Sequence, residues 1–164
     1  MLFPSNFRLI KGGLAFALVA VTGPAALAQT AELSVTAQIE ASCVVNAGSL
    51  DFGPYTSTDL DPTEGEGSFS YQCTSGSDIT LSLGPGQNPQ GEGRAMASGA
   101  ARLRYNLYQD VGHDQEWATD GAAVIVEDTP STLQTVDVYG LIEAGQESPA
   151  GSYSDSVTIT LNIN

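Results

Sequence analysis

The chain has 164 residues, two cysteines, one histidine and five basic side chains against nineteen acids, for a formal net charge of −14. So few cations make no phosphate-binding patch, which argues against nucleic acid or an anionic membrane surface as partners. One histidine leaves no conventional zinc set or nucleophile–base pair, so no cofactor, metal or catalytic residue is expected.

Arg8 and Lys11 precede the apolar run Leu14-Ala-Phe-Ala-Leu-Val-Ala-Val21, and Ala26-Leu27-Ala28 places small residues two apart. That order describes a secretory signal peptide over residues 1–28. The run is shorter than the ~18 apolar residues a helical crossing requires, so no membrane span is expected. Beyond residue 28 only Arg94, Arg102 and Arg104 face all nineteen acids, which is three minus nineteen, or −16. The remaining length suits one domain. In an oxidising compartment Cys43 and Cys73 are expected to pair, with two free thiols as the alternative. Closing that loop contributes about 3–4 kcal/mol in the chain-entropy model.

Taken in order, Leu33, Val35, Ala37, Ile39, Ala41 and Cys43 are apolar, while Ser34, Thr36, Gln38, Glu40 and Ser42 lie between them. In an extended chain this alternation makes one dry and one wet face. Residues 44–48 read as a turn, 50–55 as a short strand bent at Gly53-Pro54, and 56–67 as a polar surface loop. Residues 68–73 and 79–83 alternate as strands, separated by a break at 74–77. The Gly/Pro-rich segment 84–93 is a loop. Residues 103–108 read as a strand with Leu103, Tyr105 and Leu107 on one face, and Arg102 and Arg104 are expected to pair with surface acids. Trp117 is the apolar anchor of the polar segment 110–121, and His113 is expected to be exposed and inert. Residues 123–126 form a short run, 128–130 a turn, 133–142 a strand and 143–151 a loop. Residues 153–163 alternate most clearly, with Tyr153, Asp155, Val157, Ile159, Leu161 and Ile163 in one phase. Apolar residues do not recur at helical spacing beyond the signal segment, so the expected fold is an all-β sandwich. Asp59, Asp61, Glu64 and Glu66 begin like a calcium loop. Glu64, however, stands sixth, where such a loop turns on Gly, so a solvated loop is expected.

Several short motifs fall in one order: Leu50-Asp-Phe-Gly-Pro-Tyr55, Tyr71-Gln-Cys73, Arg94-Ala-Met96, Leu103-Arg-Tyr-Asn-Leu-Tyr-Gln-Asp110, Trp117-Ala-Thr-Asp-Gly121 and Ala150-Gly-Ser-Tyr-Ser-Asp-Ser-Val-Thr-Ile159. In these the chain resembles the spore coat protein U domain family, which includes subunits of archaic, Csu-type chaperone–usher pili. The resemblance spans residues 35–164. It implies an immunoglobulin-like β-sandwich that lacks its final strand and is completed by donor-strand complementation. A periplasmic chaperone would fill the gap first, and the N-terminal segment of the next subunit would then replace it. The implied partners are identical or related pilus subunits, the chaperone and an outer-membrane usher. The implied destination is the cell surface, reached through the periplasm, for surface attachment and biofilm formation. An enzyme is not implied.

On this reading residues 1–28 are the signal peptide, 29–37 the donor segment and 38–164 the domain. Leu33, Val35, Ala37 and Ile39 form the donor strand. Val157, Ile159, Leu161, Ile163 and Asn164 border the groove and pair with the chaperone. Asn164 follows Ile163 directly, so no residues are left to cover residues 153–163, and an apolar groove or bare edge is expected there. The competing readings make residues 33–41 the domain's own first strand, or make the protein a non-fimbrial secreted spore-coat or matrix protein. A third is a monomeric glycan-binding module using Trp117 and Tyr108.

Overall fold

The computed structural model describes Gly23, residues 27–119 and residues 123–164. Most of the expected signal peptide lies outside the described residues, as do Asp120 and Gly121 of the Trp117 motif. The chain divides into two units, Met1–Ala37 and Gln38–Asn164. In the first, residues 27–37 form neither helix nor strand, and Leu33 and Val35 are 87% and 82% exposed.

The second unit holds the described strands: β1 (Cys43–Asp51), β2 (Thr63–Cys73), β3 (Ser77–Leu83), β4 (Arg94–Ser98), β5 (Ala101–Tyr108), β6 (Val124–Thr129), β7 (Gln134–Ile142) and β8 (Ile159–Ile163). They make a five-stranded sheet, β1-β2-β7-β5-β4, and a three-stranded sheet, β6-β3-β8. Every pairing is antiparallel. The core between the sheets is the period-two set read from the sequence: Phe69, Tyr71 and Cys73 on β2, Ile79, Leu81 and Leu83 on β3, and Leu103, Tyr105 and Leu107 on β5. Val138 and Ile142 of β7 join them, and Trp117 lies edge-on to Phe69 with ring centroids 6.5 Å apart. The disulfide joins Cys43 and Cys73, which face each other in the β1–β2 register.

Several segments differ from the sequence reading, each for a physical reason. Residues 33–42 form no strand despite their alternation, because a period-two pattern makes a strand only where the backbone finds a pairing partner. Residues 44–48 are not a turn but part of β1, whose pairing with β2 shifts between Asn46 and Ser49. A bulge of that kind blurs the alternation. Arg94–Ser98 is a strand that the sequence reading did not assign, returned to β5 by the two-residue loop Gly99-Ala100. Gly99 stands there at φ 60°, the left-handed conformation such a hairpin takes first. Finally, β8 is shorter than expected. Residues 154–158 are held at separate points rather than by a ladder.

Residues 63–67, expected as loop, are the first half of β2, and their glycines explain the misreading. Gly65 and Gly67 occupy the inward phase of β2, and Gly65 pairs with Gly140 of β7. A Cβ on Gly140 would stand 2.6 Å from the Phe52 ring and 3.1 Å from Leu50 Cδ2, and one on Gly65 would stand 2.8 Å from Phe52 Cδ1. Residues that resemble turn punctuation therefore form a hollow for Leu50 and Phe52. Phe52 in turn lies edge-on to Tyr105 at 5.8 Å. Replacing Gly140 with Val is expected to lower stability by about 1–3 kcal/mol through overpacking, read as a shift in the urea midpoint.

Candidate functional site: an apolar groove between two open edges

Among the described residues β1 pairs only with β2, and β8 pairs only with β3. Both are therefore edge strands of their sheets, and they come within 8 Å of each other (Cα to Cα) without pairing. Between the sheets at these edges lies a groove of about 460 Å³. Its floor is Phe69, Leu83, Leu107 and Val138, and its sides are residues 47–50 of β1 and residues 155–157 with Ile159. The apolar residues of β8 are only partly covered: Ile159 and Leu161 are half-buried, and Ile163 is 41% exposed. Apolar side chains with one dry and one uncovered flank, beside two rows of unpaired backbone groups, can accept one more strand.

Of the residues expected to border this groove, Val157 and Ile159 line it. Leu161 and Ile163 lie further along β8, opposite Leu81 and Ile79, and Asn164 donates its backbone N–H to the Asp78 carbonyl at 2.9 Å. Those three are not among its lining residues. On the other side, Ile39 is 84% exposed, and ordered bonding begins one residue later. Thr74 Oγ1 donates to the Glu40 carbonyl at 3.2 Å and accepts from Ser42 N at 3.1 Å.

A polar network at the groove, half-buried at Asp155 and fully buried at Arg94, was not found by sequence reasoning. Asp155, in the dry phase of its segment, accepts from the Tyr105 hydroxyl at 2.7 Å and from the backbone N–H groups of Gln87 and Asn88 at 2.9 and 3.2 Å. Asn88 Nδ2 adds a further bond at 3.0 Å. Arg94 is 1% exposed and donates to the carbonyls of Gly84, Leu83, Trp117 and Ala118. Burial lowers the Arg94 pKa, and Tyr105, Glu116 and Asp155 pull it back up. Burial raises the Tyr105 phenol, and its bond to Asp155 raises it further. The signal was present in the sequence, since an acid in a run of inward Tyr, Val, Ile and Leu must find donors or be excluded.

The structure also places the remaining residues singled out in the sequence. Trp117 is 3% exposed, in the core as an apolar anchor should be, which removes the alternative of a platform for a sugar. Arg102 donates to the carbonyls of Gly99 and Ala101, and Arg104 to that of Gln90, so among the described residues backbone carbonyls, in place of the expected surface acids, take these donors. Near neighbours in an exposed turn reach a guanidinium with less loss of side-chain entropy than a distant carboxylate does. Glu64 and Glu66, expected in a solvated loop, lie on β2, where they are exposed. His113 sits at φ 56° with its ring 4.9 Å from that of Tyr108.

Two outcomes follow for the network. Arg94→Met would orphan buried carbonyls at about 1–3 kcal/mol each, so a loss of at least about 3 kcal/mol is expected in denaturant unfolding. A phenol pKa raised in the folded state contributes stability that is complete below the unfolded value of 10.0 and is lost as pH rises beyond it. Alkaline unfolding is therefore expected to begin above that value, and Tyr105→Phe is expected to flatten the slope there.

An all-β, immunoglobulin-like sandwich with an open apolar groove between two edge strands defines a class, and comparison with known proteins places the chain within it. The chain belongs to the Spore Coat Protein U domain family, whose model matches residues 29–160. It is 30% identical over 166 aligned positions to Protein U of Myxococcus xanthus, covering 91% of this chain and 93% of that protein. Among solved structures, it resembles the CsuC–CsuE chaperone–tip adhesion subunit pre-assembly complex from the archaic chaperone–usher Csu pili of Acinetobacter baumannii. That likeness has a TM-score of 0.57 and 27% identity, over 75% of this chain. The chain spans 40% of the matched chain there. The P pilus rod subunit PapA matches at 15% identity and a TM-score of 0.52, over 74% of this chain and 99% of that one, a likeness of fold.

Proposed function

We propose that the protein is an exported structural subunit of a chaperone–usher pilus and that it polymerises by donor-strand exchange. Residues 29–37 of one copy would enter the groove of the next. The observation that carries this reading is the groove itself: an apolar floor flanked by the unpaired edges of β1 and β8. Leu33 and Val35, exposed at alternate positions of an unpaired segment, supply an occupant of matching period. Burying Leu33, Val35 and Ile39 yields on the order of 5–10 kcal/mol at ~1.5–3 kcal/mol per side chain. A domain's net stability is ~5–15 kcal/mol, so one inserted strand separates a fragile monomer from a durable fibre.

Until that strand arrives, the groove needs a temporary cover, which is the part a periplasmic chaperone plays in this reading. An outer-membrane usher completes the route to the surface, where the fibre serves attachment and biofilm formation. Membership of the Spore Coat Protein U domain family supports a second reading, a non-fimbrial coat built by the same exchange. Electron microscopy of assembled material separates thin fibres from a coat layer.

The decisive test is an unboiled SDS gel of the full chain and of a chain lacking residues 30–37, each made with its cognate chaperone. A ladder of heat-sensitive oligomers is expected from the first and only monomer from the second. A full chain that remains monomeric, and behaves as the truncation does, would sink the reading.

A further inference from the structure

Residues 155–157 line one side of the groove, and the segment 154–158 that carries them belongs to no continuous ladder. At one end, Ala97 and Ser154 exchange backbone bonds of 2.9 and 3.1 Å. At the other, Gly84 N donates to the Thr158 carbonyl at 2.9 Å. Between these two pins the segment would be free to leave the extended conformation, since the groove offers it no strand partner on that side.

The Asp155 side chain supplies a third pin between the other two. Its Oδ1 accepts from Gln87 N, Asn88 N and Asn88 Nδ2, and its Oδ2 accepts from the Tyr105 hydroxyl. Gly86 stands at φ 84°, and a Cβ there would overlap the carboxylate, so the 84–88 loop is shaped to close around this group. A carboxylate brought to an apolar groove and given four donors costs more to build than the hydrophobe its phase calls for. Its return lies in geometry.

We propose that Asp155 is a positioning residue for strand capture. It holds residues 154–158 extended, with one backbone edge presented to the groove, so that an incoming strand meets a formed template. The proposal rests on the donor-strand reading above and assigns that reaction a residue that acts through the backbone its carboxylate holds in place. With the clamp in place, the segment is ordered when the domain folds. Without it, the capture-competent conformation is only fractionally populated, and the rate of capture falls by that fraction.

The test refolds the full-length protein by dilution from urea into an excess of fluorescein-labelled synthetic peptide spanning residues 29–41. Fluorescence anisotropy reports capture, and Trp117, the one tryptophan of the chain, reports core formation in the same mixture. Asp155→Ala is expected to slow capture about tenfold after Trp117 has buried, with release of bound peptide into unlabelled chase unchanged. Asp155→Asn is expected to restore most of the rate, because its oxygen still faces the Gln87 and Asn88 amides and its Nδ2 can donate to the Tyr105 hydroxyl. Should Asp155→Ala fail to bury Trp117, Tyr105→Phe carries the comparison. It removes one of the four donors without bulk, and slower capture at an unchanged rate of Trp117 burial is expected.

Unchanged capture in these variants, or a deficit confined to Trp117 burial and complex melting, would overturn the proposal and leave donor-strand exchange standing. A wild-type protein that captures no peptide would overturn both.

Discussion

Among the described residues, three strands laid over five leave part of an apolar sheet face without a roof, and the rest of the structure answers to that shortage. The inward faces of β2, β5 and β7 carry Phe69, Leu107 and Val138 up to the uncovered margin. The margin is bounded by β1 in one sheet and β8 in the other, each paired on one side among the described residues. Both components of sheet stability are therefore unfinished at the same place: apolar area that water still reaches, and backbone groups without ladder partners. One further strand satisfies both at once, whereas a small molecule would satisfy only the first.

The polar interior makes sense against this unfinished edge. Arg94 ties the end of β3 to the Trp117 segment through backbone carbonyls, which are its hydrogen-bond partners among the described residues. Asp155 and Tyr105 hold the opposite lip. These are directional interactions, and they fix where backbone runs. Hydrophobic contacts, which have no preferred direction, would let the margin close on itself. The acidic exterior, nineteen acids against five bases over the whole chain, opposes indiscriminate clustering of a domain with an exposed apolar edge.

The legible parts of the fold were those in which each face of a strand had one neighbour. β3, β5 and β7 alternate in sequence because one face meets the core and the other meets water. The misread parts depend on partners the sequence does not display. Gly65 and Gly67 resemble a turn until Leu50 and Phe52 are seen to occupy the space their missing side chains leave. Arg94-Ala-Met-Ala-Ser has little β-propensity of its own and is a strand because β5 lies beside it. Residues 33–42 carry the reverse lesson, a strand pattern with no strand. At the site, Val157 and Ile159 were legible from their phase. Leu161, Ile163 and Asn164 shared that phase or its continuation but lie elsewhere along β8, because phase gives the face and not the position along it. Asp155 stood in that phase unremarked, because its donors at Gln87, Asn88 and Tyr105 lie far away in the chain.

The sequence by itself determined the all-β class, the one disulfide and most of the core, since each follows from local period or from compartment. It also singled out residues 33–39 as an amphipathic segment in need of a partner. Only the tertiary structure decided where an opening for such a segment lies and what frames it. A groove is made by the difference in strand number between two facing sheets and by the edges that difference exposes. Those are properties of long-range pairing, to which no single stretch of chain is committed until the others are in place.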